Sequence, residues 1–381
     1  MDTRQVLLTR ASQAGDGLGP LAELDPTVVL VFGALPFFES CDVFGEIRRR
    51  FPRAAIAGCS TAGEIGGNRV HDGTCVVTAV AFDRATACAV ATRLGSMADS
   101  FGAGERVAGA LPKPGLCAVL VFGTGVRING SALVRGLQSA LPETVRISGG
   151  LAADGGAFRR TWTMGPSGCA DDQIVAVGLY GDNLRLGHGS FAGWVPFGPA
   201  RKVTRCEDNV LYELDGERAL DIYKRYLGEH AAGLPASGLL FPFEMLGESQ
   251  ETRGIFRTIL GVDEKEGSLT LAGDIDPQGY LKLMHSNTER LIDGAETAAR
   301  AALGNAGDWH GKSLAVLVSC VGRKLVMGDR VDEEVEAVVE LLGATTTVTG
   351  FYSNGEIAGA DFLGECHLHN QTMTITWIAE V

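Results

Sequence analysis

The apolar positions of this chain fall into two periods. Short runs in which almost every residue is apolar, VVLVFG at 28–33, AVLVFG at 118–123 and AVLVSC at 315–320, recur along it, and each leads into a stretch with helical spacing. In the third such stretch Asp332 is the expected N-cap and Glu333, Glu334 and Glu336 fill the positive end. Val335, Val338, Val339 and Leu342 form one stripe, and Gly343 ends it. The second has Ser131 as cap with Leu133, Val134, Leu137 and Leu141 inward; the first, around Val43, Phe44, Ile47 and Phe51, is shorter. Each helix then runs into a second strand with a common core: Ile56-Ala57-Gly58, Ile147-Ser148-Gly149 and Val348-Thr349-Gly350.

Repetition of this kind is a first-rank clue to architecture. Strand, helix, strand is the crossover unit of a parallel pair, and near-continuous apolar strands are usually covered on both faces. The tips of the second strands repeat as well: GCSTAGEI at 58–65, SGGLAADG at 148–155 and GFYSNGEI at 350–357. If each pair is parallel, these tips share an edge with segments 32–37, 123–127 and 319–323, where open α/β sheets bind ligands. The pattern therefore predicts a common hollow ringed by the three glycine-bearing tips.

The remaining patterning adds antiparallel strands. CVVTAVAF at 75–82 and TACAVAT at 86–92 read as a hairpin, and DQIVAVGLYG at 172–181 with LRLGHGSF at 184–191 as a second set. Residues 193–205, with Pro196 and Pro199, carry neither period and read as a bridge between halves. Asp215 is placed as the cap of a helix ending at Gly228, and a longer helix runs over 288–303. The expected fold is mixed α/β: repeated strand-helix-strand units with added antiparallel strands, helices packed on mixed sheets, and two related halves. The boundaries drawn are a loosely ordered lead-in at 1–27, a first domain with two units at 28–214 and a second with the third unit at 215–381.

Charge and composition narrow the function. A net charge of −13 argues against nucleic-acid binding, which needs a basic surface. No apolar run reaches the ~20 residues of a membrane span, and the N-terminus, with Asp2 and Arg4, lacks a secretory pattern. Nine cysteines without paired spacing read as reduced thiols of a cytoplasmic protein, with Cys59 and Cys320 singled out at strand ends.

Several chemistries fail their templates. GCSTAG puts Ala62 where a nucleophile elbow needs its second glycine, so a hydrolase built on Ser60 or Ser353 is a minor alternative. Ile128 takes the third glycine position of a dinucleotide fingerprint, and the GKS at 311–313 precedes a strand rather than a helix. No metal site is expected; CHLH at 366–369 has two histidines on one side of a strand, a weak signal by itself.

The run SCVGRKLVMGDRVDEEVEAV, then GFYSNGEIAG, then HNQTMTI resembles the C-terminal half of FIST proteins (F-box and intracellular signal transduction). GCSTAGEI, SGGLAADG, GHGSFAGWVPFGPARKVTR and NVLYELDGERALDIYKRYLG resemble the corresponding FIST stretches, so the likeness runs from about Val28 onward. The resemblance implies a sensory, ligand-binding module, with amino acids or related metabolites the favoured ligands. Its output would pass to a separate histidine kinase, cyclase or chemotaxis protein. It also implies two alternatives, a haem-based nitric oxide sensor and a protein-recruiting adaptor. No cofactor is expected in the main reading; for haem, His285 and His188 are the eligible ligands.

An amino-acid-like ligand asks for a guanidinium, an acid and hydrogen-bond donors between them. Arg127 and Arg323 occupy matching loops, Glu64 and Glu356 are matching acids, and Ser60, Ser148, Gly149, Ser353, Asn354 and Asn370 supply the rest. Each of these reads equally as loop scaffolding: a Glu after Gly can bind nearby N–H groups, and an Arg can pair with it.

Overall fold

The computed structural model describes residues 1–306, 309–359 and 365–381. Three six-stranded sheets share one strand order, and a fourth, of eight strands, is inserted before the third unit's long helix. In each repeated sheet a lead strand pairs antiparallel with the unit's closing strand: Asp2–Leu8 with Cys75–Ala81, Thr86–Arg93 with Gln173–Tyr180, and Leu184–Phe191 with Met373–Glu380. The closing strand lies beside the parallel pair. These pairs are Val28–Gly33 with Ala55–Ser60, Leu116–Gly123 with Arg146–Leu151, and Ser313–Cys320 with Thr346–Ser353.

The last two strands of each sheet come from another unit. The first unit's hairpin, Glu64–Gly66 and Arg69–His71, joins the third sheet. The third unit's hairpin, Gly355–Gly359 and Cys366–His369, joins the second. The second unit's hairpin, Thr163–Gly165 and Gly168–Ala170, joins the first. The exchange closes a ring, so each unit's sheet is completed by a hairpin from one neighbour.

The inner faces of the sheets meet in one core. Phe32, Phe122 and Phe351, one from each unit, pack with ring centroids 4.9, 5.5 and 6.1 Å apart and no appreciable exposure. The outer faces are covered by helices: Asp42–Arg50 on the first, Ser100–Gly109 and Gly130–Ala140 on the second, Thr288–Ala306 and Asp332–Leu342 on the third. Burial on both faces explains the unbroken apolar runs.

The repeated glycine has one cause in all three units. Gly58, Gly149 and Gly350 stand opposite Val31, Val121 and Leu317 on the paired strand. A Cβ on any of them would overlap that residue's carbonyl oxygen. The parallel strands approach too closely there for a side chain.

Several expectations are corrected. Residues 2–8 are not a loose lead-in but a strand, and the two stretches expected as one hairpin at 75–92 enter different sheets, since each unit opens with a lead strand and shuts with a closing one. Residues 195–207 are a long strand of the fourth sheet, whose prolines fall at an irregularity between Pro196 and Ala200. Asp215 (φ 52) and Gly216 (φ 81) form the two-residue turn between Val210–Leu214 and Glu217–Arg218, and the helix begins only at Ala219. Asn129, not Ser131, caps its helix by accepting the Ala132 N–H, and Asp332 accepts the Val70 N–H across the unit boundary. The fourth sheet combines strands at 195–214 with strands at 243–285, so the boundary drawn at 214/215 runs through it.

Candidate functional site

The three tips do converge, but on one another. Ala62 N–H donates to the Tyr352 carbonyl, Tyr352 N–H to Gly63, Ala153 N–H to Ser60 and Asn354 N–H to Leu151. The expected hollow is closed by these bonds, with the three phenyl rings in the core behind them.

Glu64 and Glu356 do the same work in two copies. Glu356 accepts the Ser353 hydroxyl at 2.6 Å on one oxygen and the N–H and hydroxyl of Thr372 at 3.1 and 2.9 Å on the other. Glu64 accepts the Thr61 hydroxyl on one oxygen, and the N–H and hydroxyl of Thr74 at 2.9 and 2.7 Å on the other. Each carboxyl joins a tip to the residue just before the closing strand. Burial raises both, Glu356 to about 7.

The two arginines are not equivalent. Arg323 is wholly buried, paired with Glu334 at 2.6 Å and donating to the carbonyls of Ala192 and Leu291. Its partner is thus Glu334 rather than Glu356. Arg127 is exposed in a left-handed turn, φ 58. Ser60 donates to the Ala153 carbonyl and accepts the Trp162 N–H, tying the first two units together. Asn354 donates to the Gly125 carbonyl, while its Oδ1 and that of Asn370 are buried without partners.

Two cavities open elsewhere. The larger, about 480 Å³, lies at the amino ends of the second unit's parallel strands, against Arg146, Ser148, Leu186, His188 and Glu365. His188 bonds the Gly359 carbonyl through Nε2, and burial holds its pKa down. His285 stands edge-on to Phe197 and lines neither cavity. Both histidines eligible for haem thus face protein neighbours, His188 the Gly359 carbonyl and His285 the Phe197 ring.

The smaller cavity, about 300 Å³, is a cleft between the ring of units and the fourth sheet. One wall is residues 190–194 and Thr372; the other is Glu244, Thr252, Arg253, Gly254 and Phe256, with His369 also lining it. It borders the third tip, because Thr372 holds Glu356 and the Ala192 carbonyl holds Arg323. Glu244 accepts the Thr252 hydroxyl, and Arg253 pairs with Asp276 at 2.9 Å. His369 bonds the Ala358 carbonyl through Nε2, so that nitrogen carries the proton and the unpartnered Nδ1 is an acceptor. Burial lowers its pKa to about 3, which keeps the ring neutral. The cleft thus gathers a carboxylate, a guanidinium, hydroxyls and the apolar residues Phe191, Trp194 and Phe256.

Sequence reasoning did not find Glu244 or Arg253, which sit on paired strands of the fourth sheet. Their only signal was charge within or beside short apolar runs, Glu244 inside FPFEML and Arg253 before GIF. His369 was noticed, but as half of a metal motif; no cluster able to hold a metal occurs among the described residues.

A family model for the FIST N domain matches residues 27–217, and one for the FIST C domain matches residues 219–359. This chain belongs to the FIST family. FIST domains are associated with sensory roles in signal transduction. The FIST N match supplies residues 190–194 of the cleft and the FIST C match supplies Glu244 to Phe256, so the cleft lies where the two meet. No curated protein matches the sequence. Among solved structures the chain is similar to cyanuric acid hydrolase from A. caulinodans, at 12% identity over 100% of this chain and 98% of that one, with a TM-score of 0.36. Among the described residues, no helix of this FIST protein is long and apolar enough to cross a membrane.

Proposed function

We propose that this FIST protein is a cytoplasmic small-molecule sensor whose ligand is an amino acid or a related zwitterion held in the cleft between the ring and the fourth sheet. The observation that carries the reading is that Glu244, Arg253 and His369 line one cleft of about 300 Å³. An ammonium suits Glu244, a carboxylate suits Arg253, and an apolar side chain suits Trp194 and Phe256. The larger cavity also holds a guanidinium and acids, but at the strands' amino ends. The cleft has walls from two bodies, so a ligand there binds one relative arrangement better than another. That differential affinity is what lets binding shift an equilibrium and reach a separate output protein.

The test is a thermal-shift and calorimetric screen of amino acids and related metabolites on freshly purified protein. A ligand at a hundred times its Kd adds about 2.7 kcal/mol of stability. Glu244→Gln and Arg253→Met abolish that response in proteins that remain folded. If both retain wild-type affinity for every hit, the cleft is not the sensor site. An absorption spectrum with a Soret band would favour the haem sensor, and turnover of an ester and amide panel lost in Ser60→Ala or Ser353→Ala would favour the hydrolase.

A further inference from the structure

Cys41 and Cys169 were not singled out in the sequence, yet they are in direct contact. Cys41 lies between the short helix Pro36–Glu39 and the helix Asp42–Arg50 of the first unit. Cys169 is in Gly168–Ala170, the outer strand of the hairpin that the second unit donates to the first sheet. The Cys169 N–H donates to the Cys41 sulfur at 3.1 Å. Both residues are partly exposed.

These contacts make the two thiols unequal. The Cys169 thiol and then its N–H favour the Cys41 thiolate, against burial and the Asp42 carboxylate, and lower its pKa to about 7. The neighbouring Cys41 sulfur pushes the Cys169 thiol up, and burial adds to it. Cys41 is therefore the more readily ionised, nucleophilic member of the pair, with the Cys169 N–H on its sulfur. The two cysteines marked earlier are different: Cys59 and Cys320 are buried, and burial raises both well above the ordinary thiol value. Cys75 is buried too and likewise raised.

We propose that Cys41 and Cys169 are an oxidisable thiol pair: a hydroperoxide converts Cys41 to a sulfenic acid, and Cys169 resolves it to an intramolecular disulfide. In the first step the Cys41 thiolate attacks the peroxide. An S–O bond forms, the O–O bond breaks, and the departing alkoxide or hydroxide takes up a proton. In the second step the Cys169 sulfur attacks the sulfenic sulfur. An S–S bond forms, the S–O bond breaks, and the departing hydroxide leaves with the Cys169 proton as water. Two thiols lose two electrons in all and the peroxide gains them. The bond fastens the second unit's hairpin to the helical segment of the first, a covalent clasp across one joint of the ring.

The experiment treats the full chain with hydrogen peroxide, blocks free thiols, digests without reductant and reads the peptides by mass spectrometry. The expected product is a linked pair of peptides carrying Cys41 and Cys169, released by dithiothreitol. In Cys169→Ser, a dimedone adduct accumulates on Cys41; in Cys41→Ser, Cys169 stays free. At pH 7, Cys41 alkylates roughly tenfold faster than the partly exposed Cys88. The proposal is overturned if wild-type protein leaves both thiols free under peroxide, links Cys169 to Cys75 instead, or carries Cys41 directly to sulfinic acid. The wild-type result alone decides it should either variant fail to fold.

Discussion

The Arg323 guanidinium lies 2.6 Å from the Glu334 carboxylate, and neither side chain exposes any surface. Glu334 also accepts the hydroxyls of Ser319 and Tyr352, so one acid joins the helix Asp332–Leu342 to both parallel strands of the third unit. Removing one member of a buried pair strands the other's charge, which costs about 3–5 kcal/mol. Arg323→Met is accordingly expected to lower stability in urea denaturation by that order. Arg323→Met with Glu334→Gln should recover part of the loss, because the amide keeps an acceptor for the hydroxyls without the charge. A double variant no more stable than the single would show that lost packing, not the orphaned carboxylate, dominates.

Arg323 also marks where sequence reading stops. The apolar runs at 28–33, 118–123 and 315–320 and the glycines that follow were legible because burial on both faces and a close backbone approach each restrict residue type directly. Which carboxylate Arg323 meets was not, since Glu334 and Glu356 are both available and only the packing of two helices on the sheet decides. The hairpin exchange was equally hidden. Glu64–Gly66 is too short to declare its partner, and that partner, Thr349 to Phe351, is about three quarters of the chain length away. The cleft went unseen because its walls, near Trp194 and Glu244, become neighbours only when the fourth sheet folds against the ring.

The three matched glycines give a graded test. Gly58→Ala, Gly149→Ala and Gly350→Ala each drive a methyl into a backbone carbonyl that cannot step aside. A loss of at least the 1–3 kcal/mol typical of overpacking is expected from each. Gly45, inside the helix Asp42–Arg50, has open space where its Cβ would go. Gly45→Ala is therefore expected to stabilise by roughly 0.5–1 kcal/mol. Equal effects at Gly45 and Gly58 in parallel denaturation curves would refute the close-approach explanation.

The central phenylalanines should behave as shared property of the units. Phe351 stacks on Phe32 at 4.9 Å and meets Phe122 at 6.1 Å. Phe351→Ala opens a void between sheets and is expected to cost about 3–5 kcal/mol. Because all three sheets lose a neighbour, amide exchange should accelerate in strands 28–33 and 116–123 as well as in 346–353. Acceleration confined to the third unit would mean that the sheets are held independently.

Glu356 supplies a pH signature whose sign can be worked out. Its folded pKa is raised by burial to about 7 from the usual 4.5. Between those values the folded chain holds a proton that the unfolded chain has released. Stability from this group is thus fully present below pH 4.5 and lost as pH rises through 7. The whole change is on the order of 3 kcal/mol. Glu64 is raised in the same direction. His369 works the opposite way: its pKa falls from 6.5 to about 3, so its contribution grows as pH rises through that range. The two effects overlap below pH 6.5, and the wild-type profile alone is ambiguous there. The stability difference between wild type and Glu356→Gln isolates the acid, since the His369 contribution is common to both. That difference should shift against the wild type by a few kcal/mol from pH 4 to pH 8. If it stays flat, the folded and unfolded values coincide, and the hydrogen bonds from Ser353 and Thr372 offset the cost of burying the charge.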